Sequence, residues 1–419
     1  MNPKELPRRF QPESLVMSFG YRPEWSEGSI KCPIFQTSTF VFNTAEEGKA
    51  FFQVAYGLRE QKPGEKLGLI YSRLNNPDLE ILENRLTLWD GAEDCAVFES
   101  GMSAIATTLL EYLQPGDLLL FSKPLYGGTD HFINHFLTKY GINIIGFHSD
   151  NTANEIIKKI ENSGKKDRLR FIYVETPANP TNALIDLSMC RRIADQFSTS
   201  EQVLLGVDNT YMGPIWSQPL KHGANIVIYS ATKYIGGHSD VIAGAVLGSH
   251  EIISRIKGLR TFMGNMAGPW TGWLLLRSLE TLKPRMETQL HNAKKVAAFL
   301  SQHPKVEKIY YLGNIPADSP QYEIFQRQYS SSGAMLSFNI KGGEKEAFTV
   351  LNNLKLIKLA VSLGSTESLA EHPQTMTHAD VSEQVKKAMG ITEKMIRLSV
   401  GVENADDLIW DLNQALTTI

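Results

Sequence analysis

The stretch YSATKYIGGHSDVIAG (229–244) places a lysine where solvent has little access. Lys233 lies between two apolar runs, ANIVI (224–228) and VIAGAVLG (241–248), that are typical of buried strands. Small residues precede the lysine, and paired glycines follow it. A lysine without a solvent-exposed side is easier to deprotonate, so this position favours a nucleophilic amine.

Other reactive groups stand at the predicted ends of strands or the starts of helices. Asp208 in VDNT follows an apolar strand, although such an aspartate alone more often caps the next turn. The segment SGMS (100–103) begins a predicted helix, whose free N–H groups suit a phosphate, but Ser-Gly before a helix is common. Ser230 and Thr232 place two hydroxyls beside Lys233. Tyr126 in PLYGGT offers an aromatic face on a glycine-containing loop, and in isolation it reads as a packing tyrosine.

The combination of these groups is more informative than any one of them. An amine, a strand-end carboxylate, an aromatic face and a phosphate cradle form the set that pyridoxal phosphate requires. The amine bonds to the aldehyde, the carboxylate keeps the pyridine nitrogen protonated, and N–H and O–H donors hold the phosphate. The sequence therefore predicts a pyridoxal phosphate site around Lys233.

The elements that must position these groups alternate along the chain. From about residue 80, short apolar segments such as CAVF, LLLF, NIIGF and RFIYVET alternate with helical patterns, including one from Thr129 to Tyr140. This alternation predicts an α/β fold with a mostly parallel sheet flanked by helices. Beyond about residue 285 the pattern indicates a smaller α+β domain. We predict an irregular N-terminal segment (1–75), a cofactor-binding domain (76–284) and a C-terminal domain (285–419).

Composition argues against several classes of partner. The 419 residues carry a net charge of −3, which recommends neither nucleic acid nor a membrane surface. The start, MNPKELPRRFQPESLVM, contains no apolar stretch of signal-peptide length. The three cysteines, Cys32, Cys95 and Cys190, lack paired spacing, which favours a reducing cytoplasm over a disulfide framework or a cysteine zinc site.

Five motifs occur together in order: YSRLNNP, YVETPANPT, VDNTYMGP, SATKYIGGHSDVIAG and AVSLGSTESL. From about Ile34 to Asp407 the chain resembles the pyridoxal phosphate-dependent enzymes of Cys/Met metabolism. These include cystathionine γ-synthase, cystathionine γ-lyase, cystathionine β-lyase and methionine γ-lyase. The resemblance implies fold type I with seven strands in the sheet, a homotetramer built as a dimer of dimers, and active sites shared between subunits.

The resemblance also implies a role for each residue of the site. Lys233 would form the Schiff base and carry protons, while Tyr126 would stack on the ring and assist proton transfer. Asp208 would pair with the pyridine nitrogen, and Asn179 would contact the ring hydroxyl. The phosphate would be held by Gly101, Met102, Ser230 and Thr232. Tyr71 and Arg73 of the neighbouring subunit would also reach the phosphate. The substrate carboxylate would be bound by Arg397, with Ser362 beside it. Without the resemblance, Arg73 and Arg397 could be surface arginines in ion pairs.

Two positions bear on the substrate, and they disagree. Many enzymes that act on cystathionine carry a glutamate where this chain has Val361, and an apolar residue suits an uncharged thioether. Methionine γ-lyases typically carry cysteine where this chain has Gly128, and glycine there resembles the cystathionine enzymes. Polarity in the pocket weighs more, so we predict γ-elimination of L-methionine or a related thioether to 2-oxobutyrate, ammonia and a thiol. Cystathionine γ-synthase, γ-lyase or β-lyase activity is the alternative.

Two more distant alternatives remain. His131 and His135 in HFINH have a spacing that binds zinc on a helix, but the glutamate of the HExxH pattern is absent and no third ligand is evident. A non-catalytic relative would be expected to lack the lysine, the aspartate or the carboxylate clamp. All three are present in this sequence.

Overall fold

The structure, a computed structural model, describes residues 10–65, 67–379, 381 and 383–419. Residues 1–9 and Lys66 belong to the predicted N-terminal segment. The first nine residues of MNPKELPRRFQPESLVM therefore lie outside the described residues, as does Lys66.

A seven-stranded sheet forms the larger layer of the fold, with the spatial order β1-β7-β6-β5-β4-β2-β3. Only β7 runs antiparallel to its neighbours, so the predicted mostly parallel sheet is confirmed. The strands are β1 (Asp94–Phe98), β2 (Leu118–Lys123), β3 (Asn143–His148), β4 (Leu169–Glu175), β5 (Leu204–Asp208), β6 (Ile226–Ser230) and β7 (Gly244–Gly248).

Alternate side chains of this sheet enter different cores, because helices cover both faces. In β4, Phe171 and Tyr173 pack into one apolar cluster, whereas Ile172 and Val174 pack into another. Burial on both faces explains the nearly continuous apolar strands in the sequence. It also leaves the carboxyl ends of the parallel strands as the edge where polar side chains can gather.

A second sheet of five strands, in the order β10-β11-β12-β9-β8, lies in the C-terminal part of the chain. Its central strand β12 pairs antiparallel with both β11 and β9. The strands are β8 (Val306–Tyr310), β9 (Met335–Ile340), β10 (Lys358–Leu359), β11 (Leu369–Glu371) and β12 (Met395–Ser399). The predicted smaller α+β region therefore contains a sheet of its own.

Fifteen α-helices are assigned within the described residues. Ser100 caps α4 through its side chain, and Gly91 ends α3 in the left-handed conformation with φ of 68°. The helices are α1 (Pro12–Leu15), α2 (Ala45–Ala55), α3 (Pro77–Asp90), α4 (Gly101–Tyr112), α5 (Gly127–His131), α6 (Ala153–Asn162), α7 (Leu187–Phe197), α8 (Gly213–Trp216), α9 (His250–Met263), α10 (Pro269–Leu279), α11 (Leu282–Gln302), α12 (Pro320–Gln328), α13 (Glu344–Asn353), α14 (Glu383–Ala388) and α15 (Ala405–Leu416).

Two predicted features differ from the structure. The helix predicted from Thr129 to Tyr140 is divided into α5, a π-helical turn (Phe132–Phe136) and a 3₁₀ turn (Leu137–Tyr140). The N-terminal segment predicted to be irregular contains the helix α2, capped by the side chain of Thr44. Apolar periodicity does not report the change of hydrogen-bond pattern within a helix, which explains the first difference.

Candidate active site

The amine of Lys233 lies in a half-buried turn between β6 and β7. Its Nζ donates a hydrogen bond to Ser362 Oγ at 2.7 Å. The turn is tight, because the N–H of Gly237 bonds to the carbonyl of Lys233 at 2.7 Å. Burial, and then the charge of Arg397, lower the pKa of Lys233 to about 8, while the charge of Glu371 opposes them. A fraction of the molecules therefore carries a neutral, nucleophilic amine at neutral pH.

Two carboxyl groups lie side by side where β4 and β5 end. Glu175 and Asp208 are register neighbours in the parallel sheet, and both are buried. Asp208 accepts hydrogen bonds from the Tyr173 hydroxyl at 3.2 Å and the Thr210 N–H at 3.0 Å. Burial raises the pKa of Asp208, and burial followed by the charge of Asp208 raises the pKa of Glu175 to about 8. Neither carboxyl forms an ion pair within the described structure, so a ligand with a cationic N–H would supply the missing charge.

Glu175 also holds the loop that carries Tyr126. Its Oε2 accepts the backbone N–H of Tyr126 at 2.7 Å, and the backbone of Asn179 bonds to the same carboxyl. The Tyr126 side chain remains half exposed. Glu175 was missed as a site residue although it stands in YVETPANPT. The strand-end argument that selected Asp208 applies equally to Glu175 and could have identified it.

The start of α4 lies against the end of β6 and forms a cradle for an anion. Gly101 permits this approach, because a Cβ there would be 2.9 Å from Ser230 Cβ. The Ser100 side chain accepts from the N–H of Ser103 at 3.0 Å, and the first N–H groups of a helix have no partners within it. Thr232 is fixed nearby, since its Oγ1 accepts the Ala243 N–H at 3.0 Å. Helix-start N–H groups with adjacent hydroxyls suit a phosphate.

These groups surround one cavity of about 300 Å³. Eight of the residues selected from the sequence line it: Gly101, Met102, Tyr126, Asn179, Asp208, Ser230, Thr232 and Lys233. The cavity holds an amine, a carboxyl without an ion-pair partner and an anion cradle at three different positions. This donor set fits pyridoxal phosphate, which carries an aldehyde, a ring nitrogen and a phosphate.

Arg397 approaches the same region from the centre of the second sheet. Its Nη1 lies 2.7 Å from Glu371 Oε1, and its Nη2 donates to the carbonyl of Ser362 at 2.6 Å. Nη1 also lies 3.4 Å from Asn179 Oδ1. For Arg397 the surface-arginine alternative is wrong, because its side chain is only 2% exposed. Glu371 was not selected from the sequence, since strand pairing alone brings it to Arg397.

Tyr71 and Arg73 lie apart from this cavity and do not line it within their own chain. Tyr71 is partly exposed, and Arg73 Nη1 donates to the Thr261 carbonyl at 2.7 Å. Val361 is 53% exposed and directly precedes Ser362, which contacts both Lys233 and Arg397. The apolar side chain predicted to bear on substrate choice therefore stands next to Ser362, which contacts both Lys233 and Arg397.

The other features with possible function do not form comparable sites. The rings of His131 and His135 lie 4.6 Å apart, and no group of three His, Cys, Asp or Glu in the described chain could hold a metal ion. His238 Nδ1 is 2.7 Å from the carbonyl of Gly236, within its own loop. A separate groove of about 710 Å³ contains arginines already paired with acids, such as Arg170 with Glu201 at 2.6 Å. No helix among the described residues has the length and apolar character to cross a bilayer.

Comparisons with known proteins agree with this geometry. The family profile "Cys/Met metabolism PLP-dependent enzyme" matches residues 13–417. An L-methionine gamma-lyase of Fusobacterium nucleatum is 42% identical over 394 residues, which is 94% of each chain. A cystathionine gamma-lyase of Rattus norvegicus is 37% identical over 399 residues, 95% of this chain and 93% of its own. A solved cystathionine gamma synthase from Xanthomonas oryzae, in complex with aminoacrylate and cysteine, superposes with a TM-score of 0.86 at 30% identity, covering 98% of both chains.

Proposed function

We propose, from the premise that this chain belongs to the Cys/Met metabolism PLP-dependent enzyme family, that it is a lyase cleaving the Cγ–S bond of L-methionine or a similar thioether. The observation that carries the proposal is the cavity that joins the Lys233 amine to the Asp208 carboxyl and the start of α4. Methionine is the first choice of substrate because Val361 is apolar and a relative at 42% identity is an L-methionine gamma-lyase.

In the proposed site, different residues would bind different parts of the cofactor. Lys233 would bond to the aldehyde, Asp208 would pair with the ring nitrogen, and Tyr126 would cover one ring face. Asn179 Oδ1 faces Arg397, so its amide NH₂ is the donor available to the ring hydroxyl. The phosphate would be held by Gly101, Met102, Ser230 and Thr232. Bound pyridoxal phosphate supplies an aldehyde that captures the substrate amine and a ring that accepts electrons from the α-carbon.

Lys233 and Tyr126 perform the proton transfers in this proposal. Lys233 is suited to take the α-proton, because its lowered pKa of about 8 leaves part of the amine neutral at neutral pH. Tyr126 lines the same cavity as Lys233 and can donate a proton to the departing sulfur. One methionine and one water then give 2-oxobutyrate, ammonia and methanethiol.

Arg397 and Val361 would orient the substrate. The Arg397 guanidinium would bind the α-carboxylate as a fork, with Ser362 beside it. Val361 would contact the thioether end, where an apolar side chain does not leave a charged group of the substrate unpaired. This arrangement distinguishes methionine from a substrate that carries a second ammonium group.

A second copy of the chain would complete the site. Tyr71 and Arg73 do not line the cavity of their own chain, which supports their contribution to a neighbour. Large apolar side chains near this segment are strongly exposed, including Val41 at 93% and Phe262 at 85%. We therefore propose a shared-site dimer, assembled into a homotetramer. Within each chain we propose three regions: an N-terminal segment (1–75), a cofactor-binding domain (76–284) and a C-terminal domain (285–419). The buried, unpaired cysteines support a location in the cytoplasm.

A cystathionine γ-synthase, γ-lyase or β-lyase is the second candidate, and Gly128 favours it. A Cβ at residue 128 would be 2.7 Å from Tyr126 Cε1, so a cysteine there would require the ring to move. The present position of the Tyr126 ring thus depends on Gly128, and glycine at this position resembles the residue found in the cystathionine enzymes.

A keto-acid assay by mass spectrometry tests the proposal on the cofactor-loaded protein. L-methionine and L-cystathionine are supplied in parallel, with Lys233→Ala as the inactive control. We expect the wild type to release 2-oxobutyrate from methionine. In Lys233→Ala we expect both this product and the colour of the bound cofactor to be lost. 2-Oxobutyrate from cystathionine alone would identify a cystathionine γ-lyase, and pyruvate would indicate β-cleavage. No keto acid from either substrate would refute the elimination and direct the test to a synthase with an activated homoserine ester.

A further inference from the structure

Glu371 forms a buried ion pair with Arg397 beside the Lys233 cavity. The two residues are register partners on the antiparallel strands β11 and β12, and their closest atoms are 2.7 Å apart. The Glu371 side chain is 0% exposed and that of Arg397 is 2% exposed. A buried arginine whose partner is removed retains an uncompensated charge, so the Glu371 carboxylate is the group that compensates the buried positive charge of Arg397.

The hydrogen bonds of Arg397 leave one side of the guanidinium available. Nη1 faces Glu371 and Asn179, while Nη2 donates to the Ser362 carbonyl. Nε is buried and has no hydrogen-bond partner in the described structure. A carboxylate that binds a guanidinium as a fork needs two adjacent donors, and Nε with Nη2 provides such an edge. Glu371 and the Ser362 carbonyl together fix the direction in which this edge points.

The same carboxylate also connects to the loop of Tyr126. Thr377 Oγ1 lies 3.0 Å from Glu371 Oε1 and donates to it. The backbone carbonyl of Thr377 is in turn close to Gly127, where an added Cβ would lie 3.3 Å from it. The turn after β11 therefore contacts both the ion pair and the residue that follows Tyr126.

We propose that Glu371 is a positioning residue for the substrate α-carboxylate, and that it acts by holding the Arg397 guanidinium with its Nε edge open to the substrate. Thr377 supports Glu371 in this orientation. The inference rests on the proposed function in one respect, namely that the substrate is an α-amino acid that enters the Lys233 cavity. It does not depend on which bond of that amino acid is cleaved.

The test measures carboxylate binding separately from turnover. L-norleucine and n-pentylamine share one side chain, but only norleucine has a carboxylate, and neither has a leaving group. Their affinities are read from the absorbance of the bound cofactor in wild type, Glu371→Gln and Glu371→Asp. We expect Glu371→Gln to weaken the binding of norleucine about 30-fold and that of pentylamine less than about threefold. The difference corresponds to the loss of one charge-assisted hydrogen-bond arrangement with the carboxylate. Glu371→Asp should recover part of the loss, because it keeps the charge.

Further variants keep the test decisive if Glu371→Gln does not load cofactor. Thr377→Val retains the ion pair and should weaken norleucine alone, by about threefold. Glu307→Gln removes an exposed partner of Lys394 in the same sheet and should change neither affinity. Equal losses for norleucine and pentylamine, or unchanged norleucine affinity, would overturn the inference. A wild type that prefers norleucine but releases no keto acid from methionine would refute the proposed reaction and leave this inference intact.

Discussion

Two pairs of buried polar groups lie near Lys233, and they differ in composition: one consists of two acids, and the other of an acid and a base. At the end of the large sheet, Glu175 and Asp208 are both acids, without an ion-pair partner in the described chain. On the second sheet, Glu371 already has the Arg397 guanidinium at 2.7 Å. The first pair therefore lacks a positive charge, whereas the second is complete.

The difference indicates which part of the site depends on a ligand. A buried carboxylate without a cation is unfavourable, and burial raises the pKa of both Glu175 and Asp208, so the acid pair favours a protonated form; a cationic ring nitrogen would remove that need. The Glu371–Arg397 pair needs no ligand to stabilise its charges and can be formed before the substrate binds. In the proposed function, one half of the cavity would therefore be completed by the cofactor, and the other half would be prepared for the substrate.

Asp208→Asn is expected to have the largest effect, because it removes the group that we propose balances a protonated ring nitrogen. An amide cannot carry the negative charge, so we expect turnover to fall about 1000-fold and cofactor affinity to fall at least about tenfold. Keto-acid release and equilibrium dialysis of the cofactor measure the two effects. Asp150→Asn, at an exposed loop position, is the matched control and should behave as wild type. Full activity of Asp208→Asn would mean that the acid pair does not serve the ring.

Val361→Glu tests the other half of the comparison with a smaller expected effect. The added carboxylate stands next to Ser362 and should favour a substrate with a distal ammonium group over methionine. We expect the ratio of kcat/KM for cystathionine to that for methionine to rise about 30-fold. Val361→Leu is the control for side-chain size and should leave the ratio near that of wild type. If glutamate and leucine change the ratio equally, charge at this position does not select the substrate.

The sequence predicted the acid end of the site better than the clamp end. Asp208 is the last residue of β5 and Lys233 stands three residues after the end of β6, and strand-end placement in a parallel sheet follows from local pattern. The pairing of Glu371 with Arg397 depends on which strands become neighbours and in which register, and local pattern does not specify this. The charge state of Glu175 depends on burial and on Asp208, both of which require the folded chain.

The same limit applies to distances that depend on assembly and backbone detail. The motif YSRLNNP selected Tyr71 and Arg73 for the cofactor, yet the fold of one chain keeps both away from the Lys233 cavity. Alternating strands and helices do not encode how a second copy is placed. The π-helical turn from Phe132 to Phe136 was also missed, since its residues retain a helical apolar pattern.

Glu175→Gln should have the smallest effect on activity and a distinctive effect on stability. Burial raises the pKa of Glu175 to about 8, so the wild-type side chain is mostly protonated at pH 7 and glutamine imitates that form. We therefore expect turnover at pH 7 to remain within about threefold of wild type. A carboxyl whose folded pKa exceeds its unfolded value of about 4.3 binds more protons when folded, so its contribution to stability declines as pH rises between those two values.

The cofactor-free protein gives the clearest measurement of this effect, because no ring nitrogen then compensates the acids. Relative to Glu175→Gln, wild type should lose roughly 4 kcal/mol of stability between pH 5 and pH 8.5, and the stability difference between the two proteins should change little below pH 4. Thermal unfolding of both proteins across this range measures the change. A difference between the proteins that stays constant with pH would mean that Glu175 is ionised in the folded chain. The acid pair would then be stable without the cofactor, and the contrast with the Glu371–Arg397 pair would disappear.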